Sequence, residues 1–364
     1  MSRLDSFLRL GREQGCSDIH FAVGAPPLLR LYGEITPVKY RDLSVDELNQ
    51  FIFEILCDEQ KRVFEQEHEL DFAYTAEGVG RFRVNLFQKI GGIGATFRVI
   101  APDIPTVESL GLPPIVRRLA HSPHGLVLVT GATGMGKSST LAAMIDHLNE
   151  TRRLNIITLE DPIEFVHKSK KSLIKQREVG VHVESFADGI RDALRQDPDV
   201  ILVGELRDAD AIALAMMAAE TGHLVLGTLH TSSAAKTLDR FLDGLPPDQR
   251  NTGSIFLAQN LRGVVSQALV RRANSRDKIA VQEVLVMTDA IGNLMLNENM
   301  HQIPASLQTG KNLGMQLMDQ ALLEAVQNNT IDPDDAYLYA QDKRPFQQFV
   351  TDPKVVPKVA LLAS

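Results

Sequence analysis

One octapeptide in this chain has the spacing needed to hold a nucleotide. Gly131-Ala132-Thr133-Gly134-Met135-Gly136-Lys137-Ser138 satisfies the phosphate-loop pattern GxxxxGK[ST] in full. Its glycines let the backbone N–H groups of Thr133, Gly134, Met135 and Gly136 turn inward around phosphate oxygens, where a helix N-terminus adds partial positive charge. Lys137 is placed to reach the β- and γ-phosphates and Ser138 to hold Mg2+, with Ser139 next in the first helical turn. A ligand-free glycine turn would satisfy the same letters. The flanks decide against it: the apolar run Leu126-Val127-Leu128-Val129 precedes the loop and a helical stretch follows. The expected ligands are ATP and Mg2+.

Carboxylates end two further apolar runs. Val200-Ile201-Leu202-Val203-Gly204-Glu205 delivers Glu205 in the Walker-B manner, suited to the Mg2+ shell or to positioning water; its ordinary alternative is a surface glutamate. The run 155–159 ends in Glu160-Asp161-Pro162-Ile163-Glu164-Phe165, three acids that suit activation of water or else line a solvated loop. His223 and His230 bracket the run 224–228. With no third ligand at suitable spacing they are poor metal ligands, and hydrogen bonding to a γ-phosphate is the better functional reading. Arg81, Arg83 and Arg98 read as exposed strand charges, or as arginine fingers if their domain meets a nucleotide.

These residues need a scaffold. The unbroken apolar runs from Gly125 onward, separated by helical segments, predict parallel strands buried on both faces. Residues 1–100 alternate short helical and strand-like stretches and predict a small α+β domain, with strands near 19–23, 28–32, 70–75, 80–88 and 94–100 and one helical stretch over 45–64. Prolines at 102, 105, 113 and 114 predict a semi-rigid linker over 101–115, hinged at residues 101–105. An ATPase core is expected over 116–275, and C-terminal helices with a tail over 276–364. Net charge is −8, which argues against nucleic acid as the main partner. Cys16 and Cys57 are the two cysteines, expected as reduced thiols. The longest apolar run, 211–219, is far short of a membrane helix, and the N-terminus lacks a signal-peptide core, so a cytoplasmic protein is expected.

Taken together, the boxes resemble the PilT/PilU branch of the secretion ATPase superfamily, the retraction motors of type IV pili. Residues 160–165 look like its Asp box, 204–208 its Walker B, and 221–232 (TGHLVLGTLHTS) its His box. Gly15-Cys16-Ser17-Asp18-Ile19-His20, followed by Gly24-Ala25-Pro26-Pro27, looks like its N-terminal signature. The resemblance implies a PAS-like N-terminal domain, a RecA-like P-loop ATPase domain with C-terminal helices, and a homohexamer. It implies Glu164 as general base, Glu205 as Walker-B acid, and His223 and His230 near the γ-phosphate. Arg83 and Arg98, with Arg81 beside them, match arginines that reach the nucleotide from the N-terminal domain; Arg195 and Arg207, flanking Walker B, join the site. Implied partners are an inner-membrane platform protein of PilC type, which would hold the motor peripherally at the membrane, and a paralogous PilT-type ATPase.

Two segments depart from the pattern. The family's retraction motif, Ala-Ile-Arg-Asn-Leu-Ile-Arg-Glu, stands here as Ala290-Ile291-Gly292-Asn293-Leu294-Met295-Leu296-Asn297, without either arginine, and the tail past Gln341 is closer to PilU. These bear on whether the chain is the principal motor or an accessory one. Met135 stands where the family carries a small hydroxyl residue; as that position supplies backbone, little effect is expected. A type II secretion or pilus-extension ATPase is the second reading, opposed by the absence of a tetracysteine zinc element. A weakly active nucleotide-binding scaffold is the third, opposed by Lys137, Glu164 and Glu205. A DNA translocase is disfavoured by the acidic balance.

Overall fold

The computed structural model describes residues 3–100, 103–275, 277–352 and 354–355. They form two units, Met1–Asp103 with Pro162–Val166, and Ile104–Asp161 with His167–Ser364.

The first unit is organised by phenylalanine. Its elements are α1 (Arg3–Glu13), β1 (Asp18–Ala22), β2 (Leu28–Leu31), β3 (Glu34–Pro37), α2 (Val45–Phe53), α3 (Asp58–Glu67), β4 (Glu69–Ala76), β5 (Gly80–Lys89) and β6 (Gly92–Val99). The strands make an antiparallel sheet in the order β3-β2-β1-β6-β5-β4. Period-two alternation sends Phe82, Val84 and Leu86 of β5 into the core, and Arg81, Arg83 and Asn85 to the opposite face. Phe97 meets Phe21 and Phe82 edge to face, with ring centroids 5.5 and 6.3 Å apart. Truncating such a ring costs about 3–5 kcal/mol, so Phe97 anchors the sheet that carries the arginines.

Two differences from the sequence reading have simple causes. Strand β3 is an exposed edge whose four residues show no apolar alternation. The stretch 45–64 is two helices rather than one: Ser44 caps α2 through the Glu47 N–H, and Gln60 accepts the Cys57 N–H at the start of α3.

The second unit contains α4 (Ile115–Ala120), β7 (Gly125–Thr130), α5 (Lys137–Thr151), β8 (Asn155–Glu160), β9 (Leu173–Glu178), α6 (Phe186–Ala193), β10 (Val200–Val203), α7 (Ala209–Glu220) and β11 (Leu224–Leu229). It continues with α8 (Ala234–Asp243), α9 (Arg250–Asn260), β12 (Leu261–Arg271), β13 (Lys278–Val286), α10 (Asp289–Leu296), α11 (Ile303–Thr309), α12 (Met318–Gln327) and α13 (Pro333–Tyr339). The sheet runs β13-β12-β7-β11-β10-β8-β9, parallel throughout except for β13. Alternate residues feed two cores. Leu126 and Leu128 pack with residues of α6, α7 and α8, whereas Val127 and Val129 pack with residues of α4 and α5. That is why β7, β10 and β11 are apolar at nearly every position. The architecture is the α/β class expected, an α+β unit with a RecA-like sheet unit.

The expected boundaries need correction. Ala101 and Pro102 of the expected hinge lie outside the described residues. The rest of the expected linker is not a free spacer: Val107, Leu112 and Ile115 are buried in the core beneath β7. The boundary at residue 275 cuts the β12–β13 hairpin, whose register runs from Gly263↔Val286 to Arg271↔Lys278. Strand β9 escaped the sequence reading because Leu173-Ile174-Lys175-Gln176-Arg177-Glu178 is a charged edge strand.

Candidate nucleotide site

In a parallel sheet, loops at the carboxyl ends of the strands gather on one edge. Here the order β7-β11-β10-β8 brings four such loops side by side. The phosphate loop follows β7, His230 follows β11, Gly204-Glu205 follows β10, and Glu160-Asp161 closes β8. Only glycine fits two points of the loop. A Cβ on Gly131 would lie 2.6 Å from the Gln267 carbonyl oxygen, and Gly136 takes φ +81° in the left-handed region at the head of α5.

The side chains on this edge form a continuous chain. Lys137 Nζ donates to the Gly131 and Ala132 carbonyls at 2.9 and 3.2 Å and lies 3.5 Å from His230 Nδ1. His230 Nε2 is 3.2 Å from Glu205 Oε1, and Arg207 Nε donates to Glu205 Oε2 at 2.7 Å. Arg207 also reaches Asp161 at 3.3 Å. The Glu205 hydrogen bond is the main reason the Arg207 guanidinium holds its proton above the usual arginine range. The turn presenting Glu205 is fixed on both sides: the Gly204 N–H donates to the Leu159 carbonyl, and the Thr228 hydroxyl donates to the Gly204 carbonyl. Beneath the edge, Thr130 Oγ1 lies 2.7 Å from Ser266 Oγ and 3.3 Å from Thr237 Oγ1, which in turn lies 2.7 Å from Thr231 Oγ1. This hydroxyl chain ties the strand before the phosphate loop to the loop that carries His230.

The three acids of residues 160–164 separate in role. Glu160 accepts from Thr158 and Gln176, and Asp161 accepts from Arg207. Glu164 belongs to the first unit, 3.8 Å from Arg83. On that unit's sheet Arg83 and Arg98 are directly opposed cross-strand partners, and Arg81 shares their face two residues along. Their like charges are met by acids: Asp71 lies 3.8 Å from Arg83, and Asp18 accepts from Arg98 at 2.9 Å. Arg81 Nε donates to the Ile163 carbonyl at 3.0 Å.

Two expected members are elsewhere in the chain. His223 precedes β11, and its carbonyl accepts the N–H of Gly125 at the start of β7. It therefore sits on the amino edge of the sheet, about 20 Å along the strand from the phosphate loop. Its Nδ1 lies 2.9 Å from the Ala218 carbonyl and 3.2 Å from the Thr221 hydroxyl. Arg195 lies on the same far edge beside Gln196, whose carbonyl accepts from Asn155 at the start of β8, and it pairs with Asp192 at 2.5 Å. Nearness in sequence does not bring either to the phosphate-loop edge, because a strand or a helix carries the chain across the sheet. Met135 also differs from expectation: its sulfur accepts the Leu269 N–H at 3.2 Å, and its side chain packs on the cluster holding Met318, Leu322 and Phe346. The buried Ser266 and Gln267 were missed, although two polar residues inside an apolar strand were a readable signal.

As donors, the Ser138 hydroxyl and the Glu205 carboxylate are hard oxygen ligands of the kind that suits Mg2+. Among the described residues no group of three His, Cys, Asp or Glu is placed to hold a metal alone. A cation shared with a nucleotide fits these donors.

Fold and site together define an ATP-hydrolysing P-loop enzyme with a RecA-like core. The chain belongs to the Type II/IV secretion system protein family, which matches residues 81–331. It is 44% identical to the type IV pilus retraction ATPase PilT of Pseudomonas aeruginosa, over 92% of this chain and 96% of that protein. It is 38% identical to the type IV pilus ATPase PilU of the same organism, over 92% and 88% of the two chains. A crystal structure of the pilus retraction motor PilT with bound ADP superposes with a TM-score of 0.87 at 39% identity, covering 94% of this chain and 98% of that one.

Proposed function

We propose that this chain is a pilus-retraction ATPase that works as a ring of six. The observation that carries the reading is its likeness to PilT over nearly the whole length of both chains, combined with the unbroken Lys137–His230–Glu205–Arg207–Asp161 edge. Backbone amides of the phosphate loop and Lys137 hold the β- and γ-phosphates. Ser138 and Glu205 hold Mg2+, which when bound neutralises charge on the phosphate oxygens. Glu164 takes the proton of the attacking water, and His230 hydrogen-bonds the γ-phosphate. Arg83 and Arg98 meet a nucleotide held by a neighbouring subunit, where their charge offsets that developing on the transferring phosphoryl group. The ring passes its motion to a platform protein of the inner membrane. Among the described residues no helix is long and apolar enough to cross a membrane.

Helix α10 favours an accessory form of this role. Gly292, at the first of the two arginine positions, is buried with its nearest neighbour on α9 being Ala258, and Leu296, at the second, is 49% exposed. Deleting the gene and counting surface pili tests the function. Excess pili are expected; loss of pili would replace retraction with assembly. Excess that appears only when a paralogous motor is impaired would mark the accessory form.

A further inference from the structure

Gln267 is 3% exposed on β12, one residue past the Ser266↔Thr130 pair that joins β12 to the strand leading into the phosphate loop. Its Oε1 accepts the Thr140 hydroxyl at 2.8 Å, and its Nε2 donates to the Met135 carbonyl at 2.5 Å. These partners fix the amide's orientation. A carbonyl can only accept, so the NH2 must face Met135, while the rotatable Thr140 hydroxyl supplies the donor that the amide oxygen needs.

The consequence lies on the other side of the same peptide. A planar trans peptide points its C=O and N–H in opposite directions. With the Met135 carbonyl drawn onto Gln267, the Gly136 N–H is turned away from β12. The residue itself resists little: Gly136 has no Cβ, and glycine occupies positive and negative φ about equally well. The local backbone bonds, Met135 N–H to the Ala132 carbonyl and Thr140 N–H to the Gly136 carbonyl, hold the flanking peptides rather than this one. The Met135–Gly136 peptide could therefore flip at little cost if its carbonyl partner were lost. Strand β12 grips the residue a second time through the Leu269 N–H and the Met135 sulfur.

We propose that Gln267 is a positioning residue for the nucleotide, presetting the Met135–Gly136 peptide so that the Gly136 N–H is presented to the phosphates. Gln267 itself touches no substrate. Its work is done before ATP arrives, and its loss is read mainly in affinity rather than in turnover at saturation.

The test measures fluorescent ADP binding, KM and kcat for ATP, and Tm on the full chain. Gln267→Leu, close in volume and without a donor, is expected to weaken ADP binding and raise KM about tenfold, the loss expected for one hydrogen bond to a charged ligand. Its kcat should stay within about threefold of wild type. A merely structural role predicts the reverse, a lower Tm with affinity unchanged, and that result would overturn the proposal. Gln267→Glu keeps the shape and the acceptor for Thr140, so it carries the test should the leucine variant fail to fold. Its ionised carboxylate cannot donate to Met135, but its protonated form can. Burial raises a carboxyl pKa, so ADP affinity of this variant relative to wild type should recover as pH is lowered from about 8.5 to about 6. No recovery, or affinity within about twofold of wild type at the higher pH, would sink the idea. Thr140→Val, which leaves Gln267 in place but frees its orientation, should show a smaller loss of a few-fold; full affinity there would count against the fixed amide.

Discussion

The two edges of the seven-stranded sheet each carry a histidine from the same twelve-residue box, and they live in different chemistry. His230, on the carboxyl edge, is 3.2 Å from Glu205 and 3.5 Å from Lys137. His223, on the amino edge, is held by the Ala218 carbonyl and the Thr221 hydroxyl. Between them runs β11, buried along all six residues. Spacing in a motif says which residues belong to one element. Strand polarity says which of them share a site. The carboxyl edge also gathers Asp161 and Arg207 from other strands, so the two ends of one strand meet different neighbours.

The largest expected effect is on the carboxyl edge itself. Lys137→Ala removes the side-chain cation that the phosphate loop itself aims at the β- and γ-phosphates, and hydrolysis should fall by roughly 10³-fold or more. Saturating-ATP turnover near the wild-type rate in a folded variant would remove the phosphate-loop assignment. Glu164→Gln comes next. Deleting a proton acceptor while keeping its shape should leave nucleotide affinity intact and lower turnover by about 100-fold. Turnover within about twofold would move the base to Glu205, an acid on the carboxyl edge itself.

Much of this was legible in the sequence, and what was not has physical causes. The phosphate loop, the apolar runs of β7, β8, β10 and β11, and the acids after β8 and β10 could be read directly, because strands covered on both faces need apolar side chains at every position. Parallel order could not be read: nothing in the residues says that β7 lies between β11 and β12. Arg195 and His223 both lie on the amino edge of the sheet, across it from the phosphate loop. Gln267 and Ser266 stand out as polar residues inside an apolar strand, but their roles are not legible there, since each has a partner more than a hundred residues away. Edge strands β3 and β9 escaped because one side of each is open to water and their composition follows that side.

A third test extends the comparison to the sheet of the first unit, where Arg83 and Arg98 oppose each other and are met by Glu164, Asp71 and Asp18. Arg83→Ala or Arg98→Ala should lower hydrolysis by about tenfold, ~1.4 kcal/mol of transition-state stabilisation, with the fold intact. If the arginines serve a neighbouring subunit, turnover per chain should rise with protein concentration. Mixing either variant with Lys137→Ala should then restore part of the activity, since some interfaces regain both an intact loop and intact arginines. Concentration-independent activity with no recovery, despite subunit exchange, would leave sharing between subunits without support.

The smallest expected difference is the one that isolates the edges from each other. His230→Ala takes away a hydrogen-bonding group between Lys137 and Glu205 and leaves Glu205 paired with Arg207 alone. The constellation keeps its lysine and its acid, so the loss should be moderate, about three- to tenfold in kcat/KM, or ~0.7–1.4 kcal/mol. His223→Gln is the control on the far edge. Glutamine can still offer a donor toward the Ala218 carbonyl, and about 20 Å of buried strand separates the position from the phosphate loop. Its ATP turnover should stay within about twofold of wild type, with any effect appearing in Tm. Should His223→Gln instead match or exceed the loss from His230→Ala at unchanged Tm, strand polarity within one chain would not decide membership of the site. The amino edge would then have to meet a nucleotide held by another copy, and the mixing experiment with Lys137→Ala would detect that arrangement as well.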